Sequence, residues 1–396
     1  MNKIIILLFF VKCFVSGKDP EVEMTPIEMI EYWGYEGQDI EVVTEDGYIL
    51  HMHRIPQGKN FSKNQKRPVV FMQHGLLSAS TDWITNLPNE SAGFMFADAG
   101  FDVYLGNVRG NTYSTGHVSL DTKSKEYWKF SWDEMVKYDL DAMINKALEI
   151  SGQDHLYYIG HSQGTLIMFS KLSIDSTFKN KVRQFHALAP VGTVTYIKGA
   201  LEFLAKLLYP EIGLVEEILG DKNFMPNNWL IKLANKAVCE KAVIDELCDN
   251  MLFLIGGPNS NQMNVSRVQV YIGHSPSDTS IQNMVHWMQM VHTGRQEMYD
   301  YRNEEENQKH YGQIEPPVYD ITKINGDTYL YWGDIDWLGD PEDIKMHLLP
   351  NLDPKILKGN YQYKDFNHLD FIWGLRAAPE IYKTILQNIM DDIKHK

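Results

Sequence analysis

The sequence predicts an α/β protein: a mostly parallel β-sheet with helices on both faces and a mainly helical subdomain inserted between two of its strands. Three observations carry this. Short apolar runs of strand length alternate with helix-length amphipathic stretches, the pattern of a parallel sheet with helical crossovers. The alternation stops after Pro190 and resumes at Thr328, and an interval of about 130 residues is too long for a loop. Of the 396 residues, 44% are hydrophobic, 22% charged and 12% aromatic, which is the profile of a folded chain and excludes disordered, collagenous and coiled-coil readings.

The first element is an address. Lys3 precedes an apolar run from Ile4 to Val15, broken at Lys12, and small Ser16 and Gly17 precede polar Lys18 and Asp19. This is the layout of a secretory signal peptide over residues 1–17. About 12 apolar positions fall short of the roughly 20 that a membrane-spanning helix needs, so no transmembrane anchor is expected. A secreted protein follows, with the lysosome as the other destination on that route. Of three cysteines, Cys13 leaves with the signal, and Cys239 and Cys248 read as a local disulfide in an oxidising compartment. Asn60, Asn89 and Asn264 each open an Asn-x-Ser sequon and are candidate glycan acceptors.

Next, β-rich runs Ile40 to Val43 and Ile49 to Ile55 flank the turn Glu45-Asp46-Gly47 and predict a hairpin. Strand candidates follow at Val69 to Gln73, Phe101 to Leu105, Leu156 to Ile159, Phe185 to Ala189 and Thr328 to Trp332, with a helix expected over Trp132 to Leu148. The resulting division is a first part of the core at 18–190, a cap and lid subdomain at 191–324, and a second part of the core at 325–396. Lys plus Arg number 37 against 52 Asp plus Glu, and this formal charge of −15 argues against nucleic acid, whose phosphates require a basic footprint.

The chemistry lies in Gly160-His161-Ser162-Gln163-Gly164, which follows one strand candidate and precedes a helical stretch. Gly-x-Ser-x-Gly in that context is a nucleophile elbow, a strained turn that lifts the serine above the sheet. Gln73-His74-Gly75-Leu76-Leu77 follows the strand at Val69, so the backbone N–H groups of Leu76 and Gln163 fall where an oxyanion hole needs donors. His74 has no partner at zinc spacing, and His51 and His53 share a strand face without further ligands nearby, so no metal is expected. For the base, His368 follows the strand candidate Tyr361 to Tyr363, whereas His347 lies in a helical stretch and His395 at the terminus. Asp334, Asp336 and Asp340 all follow Trp332, and periodicity does not choose among them.

Several segments together resemble the animal acid lipases, the gastric, lingual and lysosomal enzymes. They are Tyr32-Trp33-Gly34-Tyr35, Val43-Thr44-Glu45-Asp46-Gly47-Tyr48, Gln73-His74-Gly75-Leu76-Leu77, Gly106-Asn107-Val108-Arg109-Gly110-Asn111-Thr112, the serine motif, Asn283-Met284-Val285-His286-Trp287 and Asn367-His368-Leu369-Asp370-Phe371. The resemblance spans nearly the whole mature chain. It implies an α/β-hydrolase fold with cap and lid, acting on neutral lipid esters (triacylglycerol or cholesteryl ester) at a lipid–water interface, with no cofactor. Carried over residue by residue, it makes Ser162 the nucleophile, His368 the base, and Leu76 with Gln163 the oxyanion hole. Alignment on Asp340-Pro341 places the acid on Asp336. Two departures stand out: Asp334 where the family has a second glycine, and Gly256 where gastric lipases carry an unpaired cysteine. The rival readings are an esterase for smaller or retinyl-type esters and a catalytically silent lipid-binding protein.

Overall fold

A computed structural model describes residues 19–60, 66–211, 222–224 and 255–395; the expected signal peptide over 1–17 and the expected disulfide of Cys239 with Cys248 fall outside them. Among the described residues nine strands form one sheet: β1 (Gln38–Val43), β2 (Tyr48–Ile55), β3 (Val69–Gln73), β4 (Asp102–Gly106), β5 (Gly116–His117), β6 (Leu156–His161), β7 (Val182–Leu188), β8 (Thr328–Gly333) and β9 (Leu357–Tyr363). Their order is β1-β2-β4-β3-β6-β7-β8-β9, with β5 on the side of β2. Pairings made by β2 are antiparallel and the remainder parallel. Every residue of β3, β4 and β6 is buried, which is why these strands appear in the sequence as continuous apolar runs. The edge strand β9 alternates exposed and half-buried residues instead.

Successive strand residues serve opposite faces. Phe71, Tyr104, Tyr158 and Phe185 join one apolar cluster with Trp132, Met143 and Phe169. Val70, Met72, Val103 and Ile159 join the other with Trp83, Phe94 and Trp373. Covering helices include α1 (Pro26–Tyr32), α2 (Ala92–Asp98), α3 (Leu140–Ser151) and α4 (Gln163–Ile174). Helix α1 starts at a capping box between Thr25 and Glu28 with Pro26 at its first position. The single helix expected from Trp132 is instead a short turn Trp132–Glu134, a π-helical turn Met135–Asp139 and then α3. In the π turn Asp139 accepts from the backbone N–H and Nε of the fully buried Arg109 at 2.9 and 2.8 Å and lies 2.7 Å from its Nη2, while Asp46 takes Nη1 and Nη2 at 2.6 and 2.9 Å. Hydrophobic periodicity carries no sign of that polar demand.

Between β7 and β8 the described chain is helical: α5 (Gly199–Leu208), α6 (Val268–His274), α7 (Ile281–Thr293) and α8 (Glu304–Tyr311). It is tied down by polar anchors. Ser280 Oγ donates to the Phe130 carbonyl at 2.5 Å. Arg267, buried at the start of α6, donates to Thr85 O at 2.9 Å, Glu21 at 2.6 Å and Asp19 at 3.1 Å, joining the first described residues, the insertion and the core at one point.

Burial also sets titration. Asp82 is fully buried, and its desolvation, opposed by the Ser78 hydroxyl, pushes its carboxyl up to about 7. A folded-state value above the unfolded one gives a contribution fully present below about pH 4 and lost as pH rises through 7. Asp82→Asn should therefore change little at pH 4 and stabilise progressively more up to pH 8, by on the order of 4 kcal/mol at most. Melting temperatures of the variant and wild type across that range check this; a constant difference would contradict it.

Candidate active site

Ser162 sits between β6 and α4 with φ 54° and ψ −120°, a strained backbone for a residue with a side chain. Its N–H donates to Leu188 O at 3.1 Å, and Thr165 and Leu166 N–H close the first turn of α4 on its carbonyl. The flanking glycines answer to space. A Cβ on Gly160 would stand 2.7 Å from the Gly164 carbonyl oxygen, and one on Gly164 would stand 2.4 Å from that of Gln73. A Cβ on Gly75 would stand 2.9 Å from the Ser162 Cβ and 3.3 Å from its Oγ, so the loop after β3 lies directly against the serine.

His368 reaches the same point from the loop after β9. Its peptide is gripped on both sides: its N–H donates to Gly256 O at 2.9 Å, and His161 Nε2 donates to its carbonyl at 2.9 Å. Burial holds His161 well below the usual imidazole range, so it makes this contact as a neutral ring. Nδ1 of His368 lies 3.0 and 2.9 Å from the two oxygens of Asp336. Asp336 Oδ1 also accepts the N–H groups of Leu338 and Gly339, both at 2.8 Å, which fixes the carboxylate. The opposite nitrogen, Nε2, is buried with no hydrogen-bond partner among the described residues. His368 and Ser162 line one pocket with Leu76, Leu77, Leu201, Ile255, Leu338 and Leu369.

Of the three candidate aspartates, only Asp336 meets the imidazole. Asp334 Oδ1 accepts from the Asp365 N–H at 2.7 Å, and Asp340 takes the Glu342 N–H and Lys198 Nζ at 2.8 and 2.6 Å. His347 stacks on Tyr196 instead. Asp370 braces the histidine loop, accepting from Asn367 N–H at 2.7 Å and Ser260 Oγ at 2.8 Å, and burial, with the Asp336 charge nearby, raises it to about 6.

The N–H groups of Leu76 and Gln163 have no hydrogen-bond acceptor among the described residues. Gln163 is held through its side chain: Oε1 accepts Trp287 Nε1 at 2.8 Å and Asn283 Nδ2 at 3.1 Å, both from α7. Sequence reasoning assigned no role to Asn283 and Trp287, although both belong to a segment that carried the family resemblance. Ser277, just before α7, donates its N–H to Leu77 O at 2.7 Å, so the insertion touches both parts of the candidate oxyanion hole. Asn60 and Asn89 are exposed, while half-buried Asn264 donates to Glu90 at 2.9 Å. Among the described residues no group of three or more His, Cys, Asp or Glu side chains could hold a metal ion.

A parallel sheet with a strained serine after one central strand, and an Asp–His pair delivered from the ends of two others, defines an α/β hydrolase. Residues 68–375 match the α/β hydrolase fold family and residues 26–87 the partial α/β-hydrolase lipase region. Lipase lipl-5 of Caenorhabditis elegans is 54% identical over 390 residues, covering 97% of this chain and 96% of that protein. Gastric triacylglycerol lipase of Homo sapiens is 45% identical over 376 residues, covering 95% and 93%. The chain belongs to the animal acid lipase family. An α/β hydrolase from Penicillium sp. sh18, 13% identical, superposes with a TM-score of 0.54 over 91% of this chain and 98% of that one, a likeness of fold alone.

Two outcomes follow from this geometry. Gly75→Ala should displace the serine, reducing fluorophosphonate labelling at least tenfold while circular dichroism stays native; unchanged labelling would refute the close approach. Asp336→Asn should lower kcat by roughly 10⁴ through the wrong imidazole tautomer, and Asp334→Asn by less than about threefold, since its oxygen serves only the turn at Asp365. Steady-state rates on a soluble ester decide this, and the reverse ranking would move the acid to Asp334.

Proposed function

We propose that this enzyme is a serine lipase, hydrolysing carboxylic esters of neutral lipids, triacylglycerol first, through an acyl-enzyme. The observation that supports it is the disposition of His368: one nitrogen is bracketed by Asp336, and the other is left bare in a mostly apolar pocket shared with Ser162. In this reading His368 Nε2 takes the Ser162 proton as Oγ attacks the ester carbonyl. Asp336 holds the Nδ1–H tautomer and stabilises the imidazolium. The oxyanion develops toward the N–H groups of Leu76 and Gln163, which have no competing acceptor among the described residues. The imidazolium next protonates the departing alcohol, and His368 then activates the water that frees the fatty acid. Leu201 and Leu338 offer the acyl chain a dry wall.

Delivery through the secretory route is part of the proposal. It rests on the first 17 residues and the sequons, and among the described residues no helix is long and apolar enough to cross a membrane. The name of the human relative specifies triacylglycerol, which favours that ester over a cholesteryl ester.

The test is direct. A fluorophosphonate should label wild type on Ser162, and Ser162→Ala should lose hydrolysis of an emulsified long-chain triacylglycerol by several orders of magnitude. More than a few per cent of residual rate would remove Ser162 from its role. Turnover of a short soluble ester without turnover of the emulsion would make the protein an esterase.

A further inference from the structure

Among the described residues Leu76 N–H has no competing partner, and nothing in its own side chain aims it. Its direction is set by the peptide it shares with Gly75, because in a trans peptide the C=O and N–H point opposite ways. The Gly75 carbonyl oxygen lies 2.8 Å from Nδ1 of His74. Whether Nδ1 carries the proton is decided at the other side of the ring.

Nε2 of His74 faces two donors. The Val108 N–H stands 3.3 Å away, and a backbone amide has no acceptor form. Nδ2 of Asn111 stands 3.2 Å away. The orientation of that amide is fixed independently, since its Oδ1 accepts the N–H groups of Tyr113 and Ser114, both at 3.0 Å, and its Nδ2 also donates to Asn107 Oδ1 at 2.9 Å. Nε2 is therefore an acceptor and carries no hydrogen. The ring is fully buried and neutral, burial holding it down to about 4, so its one proton sits on Nδ1 and is donated to Gly75.

We propose that Asn111 and the Val108 N–H set the tautomer of His74, and that His74, by clamping the Gly75 carbonyl, is the positioning residue that aims Leu76 N–H at the oxyanion of the acyl-transfer step. The relay runs from the loop after β4 to the loop after β3 and touches no substrate atom. Its effect is confined to the transition state: a misaimed amide leaves ester binding intact and removes a charge-stabilising donor when the carbonyl oxygen becomes an alkoxide. The inference rests on Ser162 and Leu76 acting as proposed above. Failure of that reading shows separately, as activity in Ser162→Ala.

Three measurements test it. His74→Leu, which fills the space without a donor, should lower kcat on a soluble ester roughly 10²-fold with KM within twofold, and should weaken a reversible alkylboronic acid, a tetrahedral anionic mimic, by a similar factor. His74→Asn, whose Nδ2 can stand where Nδ1 does and donate to Gly75, should recover at least a tenth of wild-type kcat. A role in folding alone would lower the melting temperature and leave boronate affinity of the folded fraction unchanged, and that result overturns the proposal. Because His74→Leu can fail to fold, wild type supplies the third measurement. With nitrogen-15 histidine, the His74 signal, assigned by its loss in His74→Asn, should show a protonated Nδ1 and a bare Nε2 from pH 7 to pH 5. A protonated Nε2 in that range overturns the relay whatever the variants do.

Discussion

The contact on which the site depends is backbone against backbone. The first turn of α4 lies on the end of β3 so closely that Gly164 has no room for a Cβ before the Gln73 carbonyl. That approach sets Ser162, at the head of α4, against Gly75, on the loop leaving β3. It brings Ser162 and Leu76 into one pocket, although 86 positions separate them in the sequence. The turn that achieves it holds Ser162 at φ 54°, a conformation costing about 1 to 3 kcal/mol. The strain persists because its surroundings leave no alternative. β6 is paired on both sides, α4 starts immediately, and the Ser162 N–H is bound to Leu188 O.

Three histidines meet around this contact, and their surroundings give them different work. His161 and His74 are fully buried and kept neutral, and each donates one N–H to a backbone carbonyl, that of His368 and that of Gly75. They behave as rigid donors in a medium of low dielectric, where an oriented hydrogen bond is strong and an unpaired group costly. His368 differs because the Asp336 carboxyl group faces its Nδ1 and, among the described residues, no hydrogen-bond partner faces its Nε2. The proposed general base is thus singled out by its neighbours and not by its residue type.

The sequence showed the architecture clearly and singled out candidate reacting residues, for physical reasons that apply locally. Fully buried parallel strands are continuous apolar runs, and Gly160 and Gly164 announce a turn that only glycines allow. Ser162 and His368 stood out as candidates because each adjoins a strand end in the order the proposed mechanism requires. The acid was not: Asp334, Asp336 and Asp340 share one loop, and the choice turns on which carboxylate the Leu338 and Gly339 amides hold toward the imidazole, which no periodicity encodes. Asn283 and Trp287 grip Gln163 from 120 and 124 residues away, and Asn111 meets His74 from 37 away. Contacts of that range leave no local pattern. The π turn at Met135–Asp139 escaped for the same reason, since the demand met there comes from the buried Arg109.

The two departures from the family pattern show what the site constrains. Asp334 adds a carboxylate two residues from Asp336, yet its oxygen is committed to the N–H of Asp365, a residue at φ 59° that closes the turn before His368. The added charge thus serves the loop that delivers the base without competing for the imidazole. Gly256 lacks the side chain expected of gastric lipases, yet its carbonyl still receives the His368 N–H, and the position a Cβ would take lies 3.0 Å from Leu369 Cγ and 3.7 Å from His368 Cβ. What the site takes from position 256 is an oxygen of the main chain. The same holds for the N–H groups of Leu76, Gln163, Leu338 and Gly339 and for the carbonyl of Gly75. Most of the groups that orient or stabilise the reacting atoms are therefore backbone, and side-chain identity is restricted mainly where a Cβ would collide, as at Gly75 and Gly164, or where a side chain aims a peptide, as His161 and His74 do.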